Sequence, residues 1–418
     1  MVRVPLSARI RLVCIALVSA CGGNSAAPPA PPAQVTIVAG NNQQAPVSAP
    51  VPLAPAVLVS DQQGHPVPNI AVSFVVTAGG GSVTGASTTS SATGIAAVGA
   101  WKLGPALGSN TLTATVAGAG ITGNPATFTA TDTGCTNCWT AKASLPSGRS
   151  LLAIGAVNGI LYAVGGQRDT GVVVTVEGYD PSTDHWAAKT SLPSARAGLG
   201  VAVLNESIYA VGGYQKVGSV ATVEAYDPAA GTWSAKGPLP SARDGLAVAV
   251  INGKLYALGG QGAGVVLDSL VVYDPAANTW TPKASMTIAR SGLGVAVING
   301  LLYAVGGSHA ANGDVAALEV YDPGSDTWTT KASMPVPRAN FAVAVVSGTL
   351  YVVGGTTYSL GNVFPLATVE GYDPGTNTWS AKDSLPAQRT ALAGATVDGL
   401  LFVIGGSPNL TSVAAYQP

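Results

Sequence analysis

Two cysteines three positions apart are the first residues in this sequence whose types and spacing suggest chemistry. Cys135 and Cys138 form a C-x-x-C pair. Redox-active pairs of this kind lie at the start of a helix that follows a strand, whereas this pair lies in a short segment of Gly, Thr and Asn with no helical pattern. Two cysteines are also too few to ligate zinc. The sequence therefore favours a structural disulfide between Cys135 and Cys138, formed in an oxidising compartment, over redox catalysis.

Arginines and glutamates that recur at regular intervals form a second group. The arginines are Arg149, Arg196, Arg243, Arg290, Arg338 and Arg389, and the glutamates are Glu177, Glu224, Glu319 and Glu370. A ring of arginines could bind an anion, but a buried arginine needs a partner, and the glutamates could supply one. The pattern favours a structural role over a ligand site.

The composition of the 418 residues excludes several classes of protein. The 19 Lys+Arg and 20 Asp+Glu make up 9% of the chain, against roughly 25% in an ordinary soluble protein. A net charge of -1 lacks the basic field that nucleic-acid binding needs, so we expect no nucleic-acid partner. The length suggests two or three domains.

The N-terminus has the order of a secretory signal. Arg3, Arg9 and Arg11 precede an apolar stretch from Leu12 to Ala20, which is too short to span a membrane. The run Leu17-Val-Ser-Ala-Cys21 resembles a bacterial lipoprotein signal, although a plain signal peptide with an incidental thiol is the alternative. The resemblance implies cleavage after residue 20, lipidation of Cys21 and a place in the cell envelope, at the outer membrane and facing either the periplasm or the surface. Residues 21–34, rich in Ala and Pro, then read as a tether.

Residues 35–132 alternate apolar and polar positions in short runs, which predicts a β-sandwich. Examples are Ile70-Ala-Val-Ser-Phe-Val-Val76 and Asn110-Thr-Leu-Thr-Ala-Thr-Val116. Together with Trp101-Lys-Leu-Gly104, these phrases resemble the bacterial immunoglobulin-like domains of invasin and intimin type. In that family such domains act mainly as spacers, so the resemblance implies no catalysis here. Residues 133–137 would be a linker.

The rest of the chain, residues 138–418, repeats one unit. A Gly-Gly pair closes an apolar run at 165, 212, 259, 306, 354 and 405; Tyr-Asp-Pro follows at 179, 226, 273, 321 and 372; and a Trp follows that at 186, 233, 280, 328 and 379. Asn-Gly-type turns precede the Gly-Gly runs and predict tight hairpins. The pattern resembles the kelch repeat, which implies four-stranded units stacked radially in a β-propeller.

The two ends of the array predict how the ring closes. The sixth copy stops at Tyr416-Gln-Pro418, before its Trp strand, whereas Cys138-Trp-Thr-Ala-Lys142 is a Trp strand with no copy before it. The two pieces together make one unit. We therefore predict an all-β chain in which a six-bladed propeller is closed by its N-terminal strand.

The segments after the Gly-Gly pairs vary in length, and so ligand recognition is expected on their face of the ring. The candidate ligand-binding residues are Gln167, Arg168, Asp169, Tyr214, Gln215, Gln261, Ser308, His309, Asn340, Thr356, Tyr358 and Asn409. The positions two after the repeated arginines, from Leu151 to Ala391, are mostly small and apolar. This departs from the polar pockets of peptide-binding kelch proteins and argues against a strongly acidic ligand.

These observations predict a non-catalytic, lipid-anchored binding protein of the cell envelope whose ligand is a protein, peptide or glycan. We expect a monomer with no cofactor, no metal and no catalytic residue. Copper radical oxidases of kelch type are excluded, since the propeller has no cysteine beyond Cys138 and His185 and His309 are expected on different faces. The alternative is a periplasmic sugar mutarotase of the sialic-acid type, because those enzymes also resemble a six-bladed kelch ring.

Overall fold

The structure is a computed structural model that describes residues 30–47, 49–104, 108–132, 137–311, 313–359 and 362–418. Every regular element in these ranges is a β-strand, and no helix there is long and apolar enough to cross a membrane. The chain divides into two compact units, Met1–Gly134 and Cys135–Pro418. The predicted signal peptide, Cys21, most of the predicted tether and Cys135 lie outside the described residues.

The described part of the first unit contains ten strands in three sheets. One sheet holds Gln34–Ala39, Ala56–Ser60 and Ile95–Ala97; the second holds Gln43–Ala45, Ala126–Asp132, Ser109–Val116, Ala71–Ala78 and Ser87–Thr89; a small third sheet pairs Ser82–Thr84 with Ala100–Lys102. Alternate residues along the long strands face inward, as the sequence pattern predicts. Phe74 and Phe128 lie 6.4 Å apart between ring centroids. They share one core with Val57 and Val59 of the first sheet and with Trp101.

The second unit, described from residue 137, contains six four-stranded antiparallel sheets, which we number 1 to 6 in chain order. The first strands are Ala153–Val157, Gly200–Leu204, Ala247–Ile251, Gly294–Ile298, Ala342–Val346 and Ala393–Val397. The second strands are Ile160–Val164, Ser207–Val211, Lys254–Leu258, Leu301–Val305, Thr349–Val353 and Leu400–Ile404. The third strands are Val176–Asp180, Val223–Asp227, Leu270–Asp274, Leu318–Asp322, Val369–Asp373 and Val413–Gln417. The fourth strands are His185–Ala188, Thr232–Lys236, Thr279–Lys283, Thr327–Lys331, Thr378–Lys382 and, for sheet 6, Cys138–Lys142.

The first and second strands of each sheet are joined by two-residue turns of the expected kind. In sheet 1 both turn residues, Asn158 and Gly159, have positive φ, 50° and 78°. This geometry matches the twist of the flanking strands and favours Asn-Gly. The second strands are apolar at nearly every position and buried on both faces, as Leu161–Val164 shows. Each sheet therefore buries its second strand between its neighbours.

Sheet 6 is assembled from the two ends of the unit. Cys138–Lys142 pairs with Val413–Gln417, with Trp139 opposite Tyr416. Their ring centroids lie 5.0 Å apart, and the Tyr–Trp pairs of the other five sheets have the same spacing, 5.0 to 5.2 Å. The first strand of each sheet contacts the first strand of the next, and sheet 6 contacts sheet 1. The N-terminal strand therefore joins the sheet built by the C-terminus.

The repeated arginines form a buried layer, and each is at most 4% exposed. Four of them pair with the recurring glutamates: Arg149 with Glu177 at 2.5 Å, Arg196 with Glu224 and Arg290 with Glu319 at 2.6 Å, and Arg338 with Glu370 at 3.0 Å. The structural role predicted for these arginines is confirmed. Arg243 instead binds the hydroxyls of Ser241 and Ser269, at 2.7 and 3.0 Å.

The arginine layer also explains why the Gly-Gly pairs recur. The Nε–H of Arg149 donates to the carbonyl oxygen of Gly165 at 2.7 Å, while the N–H of Gly166 donates to the carbonyl oxygen of Arg196 in the next sheet at 3.0 Å. Gly165 has a φ of +60°, and a Cβ there would lie 2.5 Å from the oxygen of Arg196. Only glycine allows this contact between sheets.

Candidate functional site

The variable loops lie on one face of the second unit, which we call the loop face. Five two-stranded hairpins connect second and third strands there, numbered by their sheets: Gln167–Arg168 with Gly171–Val172, Tyr214–Gln215 with Gly218–Ser219, Gln261–Gly262 with Val265–Val266, Ser308–His309 with Gly313–Asp314, and Thr356–Ser359 with Asn362–Pro365. The residue after each Gly-Gly pair bridges to the residue after the repeated arginine, as Tyr214 does to Ala197. The loops before the first strands therefore share this face with the hairpins.

A closed ring of backbone hydrogen bonds lies at the centre of the loop face. Its members are Leu151, Gly198, Gly245, Gly292, Asn340 and Ala391, and each N–H donates to the carbonyl of the preceding member at 2.8 to 2.9 Å, with Leu151 donating to Ala391. All six residues have φ between 52° and 60°. Small residues recur here because the backbone adopts the left-handed conformation. The six ring residues, with the residue that follows each of them, line a small cavity of about 120 Å³.

Side chains on the hairpins of sheets 1 and 2 are hydrogen-bonded to one another. The hydroxyl of Tyr214 donates to Oε1 of Gln167, and Nδ2 of Asn409 donates to Oδ1 of Asp169 at 2.5 Å. At the boundary with sheet 3, the hydroxyl of Ser219 donates to Asp244 at 2.5 Å. We call this region, formed by hairpins 1 and 2 with Asn409, the closed half of the loop face.

The rest of the loop face contains an open cavity of about 960 Å³, which reaches Ser150 and Leu151 beside sheet 1. It is lined by hairpins 3, 4 and 5, by the arginine-side loops and by ring residues; the lining side chains include Gln261, Ser308, His309, Asp314, Asn340, Thr356, Tyr358, Val363 and Ser407. We call this region the open half. Tyr358 and Val363 are 55% and 63% exposed on hairpin 5, where they pair across the two strands.

The size of one side chain per repeat is one difference between the two halves, and it applies to sheets 4 to 6. The residue after the Gly-Gly pair is Gln167, Tyr214 or Gln261 in sheets 1 to 3, but Ser308, Thr356 or Ser407 in sheets 4 to 6. The ring of Tyr214 packs over Gly198: a Cβ at residue 198 would lie 3.4 Å from the ring, which is van der Waals contact. Smaller residues at the same position leave the corresponding space empty and open the cavity.

Asp314 is the one carboxylate among the described residues that line the cavity. Hairpin 4 places it directly opposite Ser308. Burial raises the pKa of the Asp314 carboxyl above its ordinary value, although hydrogen bonds from the Ser308 hydroxyl and the Tyr358 backbone N–H partly offset this shift. The carboxyl is thus held at the wall of a cavity that does little to stabilise its charge.

Comparison with known families agrees with this geometry. The Kelch motif matches residues 148–193 and 195–240, and the KLHDC2/KLHL20/DRC7 Kelch-repeats domain matches residues 235–406. The chain is a kelch-repeat protein. The solved structure of YjhT is similar to it, with a TM-score of 0.58 and 16% identity over 65% of this chain and 94% of YjhT. At this identity the likeness extends to the fold, an all-β kelch propeller. No protein of curated function matches the chain.

The kelch propeller separates the predicted ligand-binding residues into two groups. Gln261, Ser308, His309, Asn340, Thr356 and Tyr358 line the cavity. Gln167, Arg168, Asp169, Tyr214, Gln215 and Asn409 lie outside it, and several of them make the hydrogen bonds of the closed half. Loop variability alone indicated one face, where all of these residues lie, but could not distinguish its halves.

Sequence reasoning missed Asp314 and Val363. Asp314 lies six residues after Ser308, and the pairing of hairpin 4 brings the two together. The one available signal was the longer hairpin in this kelch repeat. Among the described residues no group of three or more His, Cys, Asp or Glu is arranged to hold a metal ion. Cys138 is disulfide-bonded, while Cys135, its predicted partner, lies outside the described residues.

Proposed function

We propose that this protein is a non-catalytic binding protein whose kelch propeller holds a peptide, protein or glycan in the cavity of the open half. The observation that carries the proposal is the asymmetry of the loop face. A cavity of about 960 Å³ falls in the size range of small-molecule and oligosaccharide sites. Three of its lining positions, Ser308, Thr356 and Ser407, carry small side chains where sheets 1 to 3 carry Gln or Tyr.

The chemistry of the cavity supports binding of a polar ligand with an apolar face. Hydroxyls of Ser291, Ser308, Thr390 and Ser407, with the amides of Gln261 and Asn340, line one part of it. Tyr358 and Val363 add an exposed apolar surface on hairpin 5. Binding sites that orient a ligand typically combine a small number of convergent polar groups with an aromatic surface.

The remaining parts of the proposal concern the setting of the propeller. We propose a six-bladed ring, since six four-stranded sheets contact one another in a closed cycle. We propose that the first unit is an immunoglobulin-like spacer, since two of its sheets share one core. A lipid anchor at Cys21 would hold both units in the bacterial cell envelope, at the outer membrane, and we propose that the protein is monomeric there.

A glycan and peptide array probed with the full chain tests the binding proposal. The bound ligand should protect the backbone amides of hairpins 3, 4 and 5 from hydrogen exchange, and those of hairpins 1 and 2 much less. Tyr358→Ala should weaken binding, whereas Val217→Ala, which removes another exposed apolar side chain from hairpin 2, should not. Protection confined to hairpins 1 and 2, or equal binding by both variants, would refute the assignment of the cavity.

A sugar mutarotase is the second candidate, because His309 and Asp314 both line the cavity. An imidazole and a carboxyl could serve as base and acid in the opening of a sugar ring. Exchange of sialic-acid anomers followed by NMR tests this activity. Acceleration by the wild-type chain that is lost in Asp314→Asn would support catalysis, and a rate equal to that in buffer would exclude it.

A further inference from the structure

The cavity of the open half contains a negative charge with no fixed positive charge beside it. Asp314 is the one Asp or Glu among its described lining residues, and none of those residues is Lys or Arg. Asn312, Leu360 and Gly361, which belong to the same loops in sequence, are uncharged. His309 and Tyr358 are the other titratable residues of the lining.

The contrast with the arginine layer shows that this arrangement is unusual within the molecule. Glu177, Glu224, Glu319 and Glu370 each contact an arginine at 2.5 to 3.0 Å. Asp314, which is half-buried, receives hydrogen bonds only from neutral groups, the Ser308 hydroxyl and the Tyr358 backbone N–H, among the contacts that affect its ionisation. A carboxylate removed from water without a cation is costly, and a positively charged ligand would relieve that cost.

We infer that the cavity binds ligands through an organic ammonium group, which becomes the counter-ion of Asp314. Such a group occurs on amino sugars and on lysine side chains, and both would present three N–H donors to a carboxylate and the surrounding hydroxyls. The inference rests on the proposed binding function of the cavity and specifies its ligand chemistry.

Two pairs of probes isolate the ammonium group. The full chain is titrated by calorimetry with the trimer of glucosamine and with the trimer of N-acetylglucosamine, which differ by acetylation of the amines. Trilysine with an acetylated N-terminus and its Nε-acetylated form make the second pair and distinguish a peptide source from a sugar source. We expect the charged member of at least one pair to bind about tenfold more tightly than its acetylated partner. A partly buried ion pair should contribute somewhat more than an exposed one, and this is enough for such a difference in affinity.

A variant and a matched control identify the carboxylate. Asp314→Asn preserves the shape of the side chain and removes its charge, and so should abolish the preference for the charged probe. Asp169→Asn makes the same change on hairpin 1, outside the cavity, and should retain the preference. Since wild-type titrations alone reveal the preference, the test does not depend on the folding of either variant.

The pH dependence provides an independent readout. Burial raises the pKa of the Asp314 carboxyl, and the ionised form is the one that attracts an ammonium. Affinity for the charged probe should therefore fall as the pH is lowered through that pKa while the probe remains protonated. His309→Gln should retain the dependence that Asp314→Asn loses, which assigns the dependence to the carboxyl.

The outcomes separate this inference from the proposed function. Equal binding of charged and acetylated probes, or a preference that persists in Asp314→Asn, would overturn the inference and leave the binding function intact. If neither pair bound while the array identified an uncharged or acidic ligand, the inference would also be overturned. Failure of every probe and of the array would refute both.

Discussion

The closed and open halves of the loop face share one backbone framework and differ in the length and the side chains of their hairpins. Both rest on the same ring of hydrogen bonds at 2.8 to 2.9 Å and on the same layer of buried arginines. In the closed half, Tyr214 fills its position and bonds to Gln167. In the open half, Ser308 occupies the equivalent position and a cavity remains. The repeated framework thus supports stability, while the variable hairpins and the residue after each Gly-Gly pair shape the space above it.

The largest expected effect tests whether the buried Arg–Glu pairs stabilise both halves equally. Glu224→Gln in sheet 2 and Glu319→Gln in sheet 4 each leave a buried arginine without its carboxylate, Arg196 and Arg290 respectively. Each should lower the free energy of unfolding by about 3 kcal/mol, as expected when one member of a buried pair is removed. Urea unfolding measures both. A loss confined to one variant would show that the two halves are supported differently.

The second prediction converts the open half into the closed one. Ser308→Tyr places at sheet 4 the residue that sheet 2 carries at position 214, and the ring should occupy the cavity. Binding of the ligand identified on the array should weaken by about tenfold or more, with little change in the unfolding midpoint. Thr170→Tyr, which adds the same ring at an exposed position of hairpin 1, is the control. Unchanged affinity in Ser308→Tyr would place the ligand elsewhere.

The third prediction concerns a variant that removes a hydrogen bond from the closed half. Tyr214→Phe removes the hydroxyl that donates to Gln167 but retains the ring over Gly198. The free energy of unfolding should fall by about 1 kcal/mol, the usual contribution of one such hydrogen bond. Ligand affinity, measured by calorimetry, should not change because Tyr214 does not line the cavity. A marked loss of affinity would show that Tyr214 belongs to the binding site and that the two halves form one site.

The smallest expected effect concerns the ring below both halves. Ala391 has a φ of 53°, a conformation that glycine adopts without strain. Ala391→Gly should raise the free energy of unfolding by about 0.5 kcal/mol, because relief of strain exceeds the added entropy of the unfolded chain. Gly245→Ala at the equivalent position should do the opposite. Thermal unfolding of both variants checks the signs, and equal shifts would contradict the role of backbone strain in the ring.

Much of the fold could be predicted because its determinants are local and repeated. Asn-Gly turns, Gly-Gly pairs and the Tyr–Trp pairs each impose a short-range geometry, and six similar units reinforce the pattern. Even the pairing of Trp139 with Tyr416 was predictable. The last unit lacks its fourth strand and the first Trp strand lacks a unit, so the two ends complete one sheet together. The recurrence of Glu177 and its equivalents indicated possible partners for the arginines, and four of the six arginines pair with them.

The candidate site was predictable only as a face. Loop variability indicated His309 and Tyr358, but it indicated Tyr214 and Asp169 equally. Whether such a side chain bonds to a neighbouring hairpin or lines a cavity depends on residues about one repeat apart in sequence. Asp314 escaped notice because its environment is created by Ser308 and by Tyr358 of the next hairpin.

The repeated residues alone were sufficient to specify strands, turns, the family and the incomplete end units, since these follow from backbone conformation and apolar periodicity. The division of the loop face, the closed ring through Leu151 and Ala391, and the charge of the cavity depended on the tertiary structure. They arise where residues from different repeats meet. The volume and the hydrogen bonds of a side chain in one repeat determine how much space remains beside the neighbouring repeat and which charged groups a ligand would contact there.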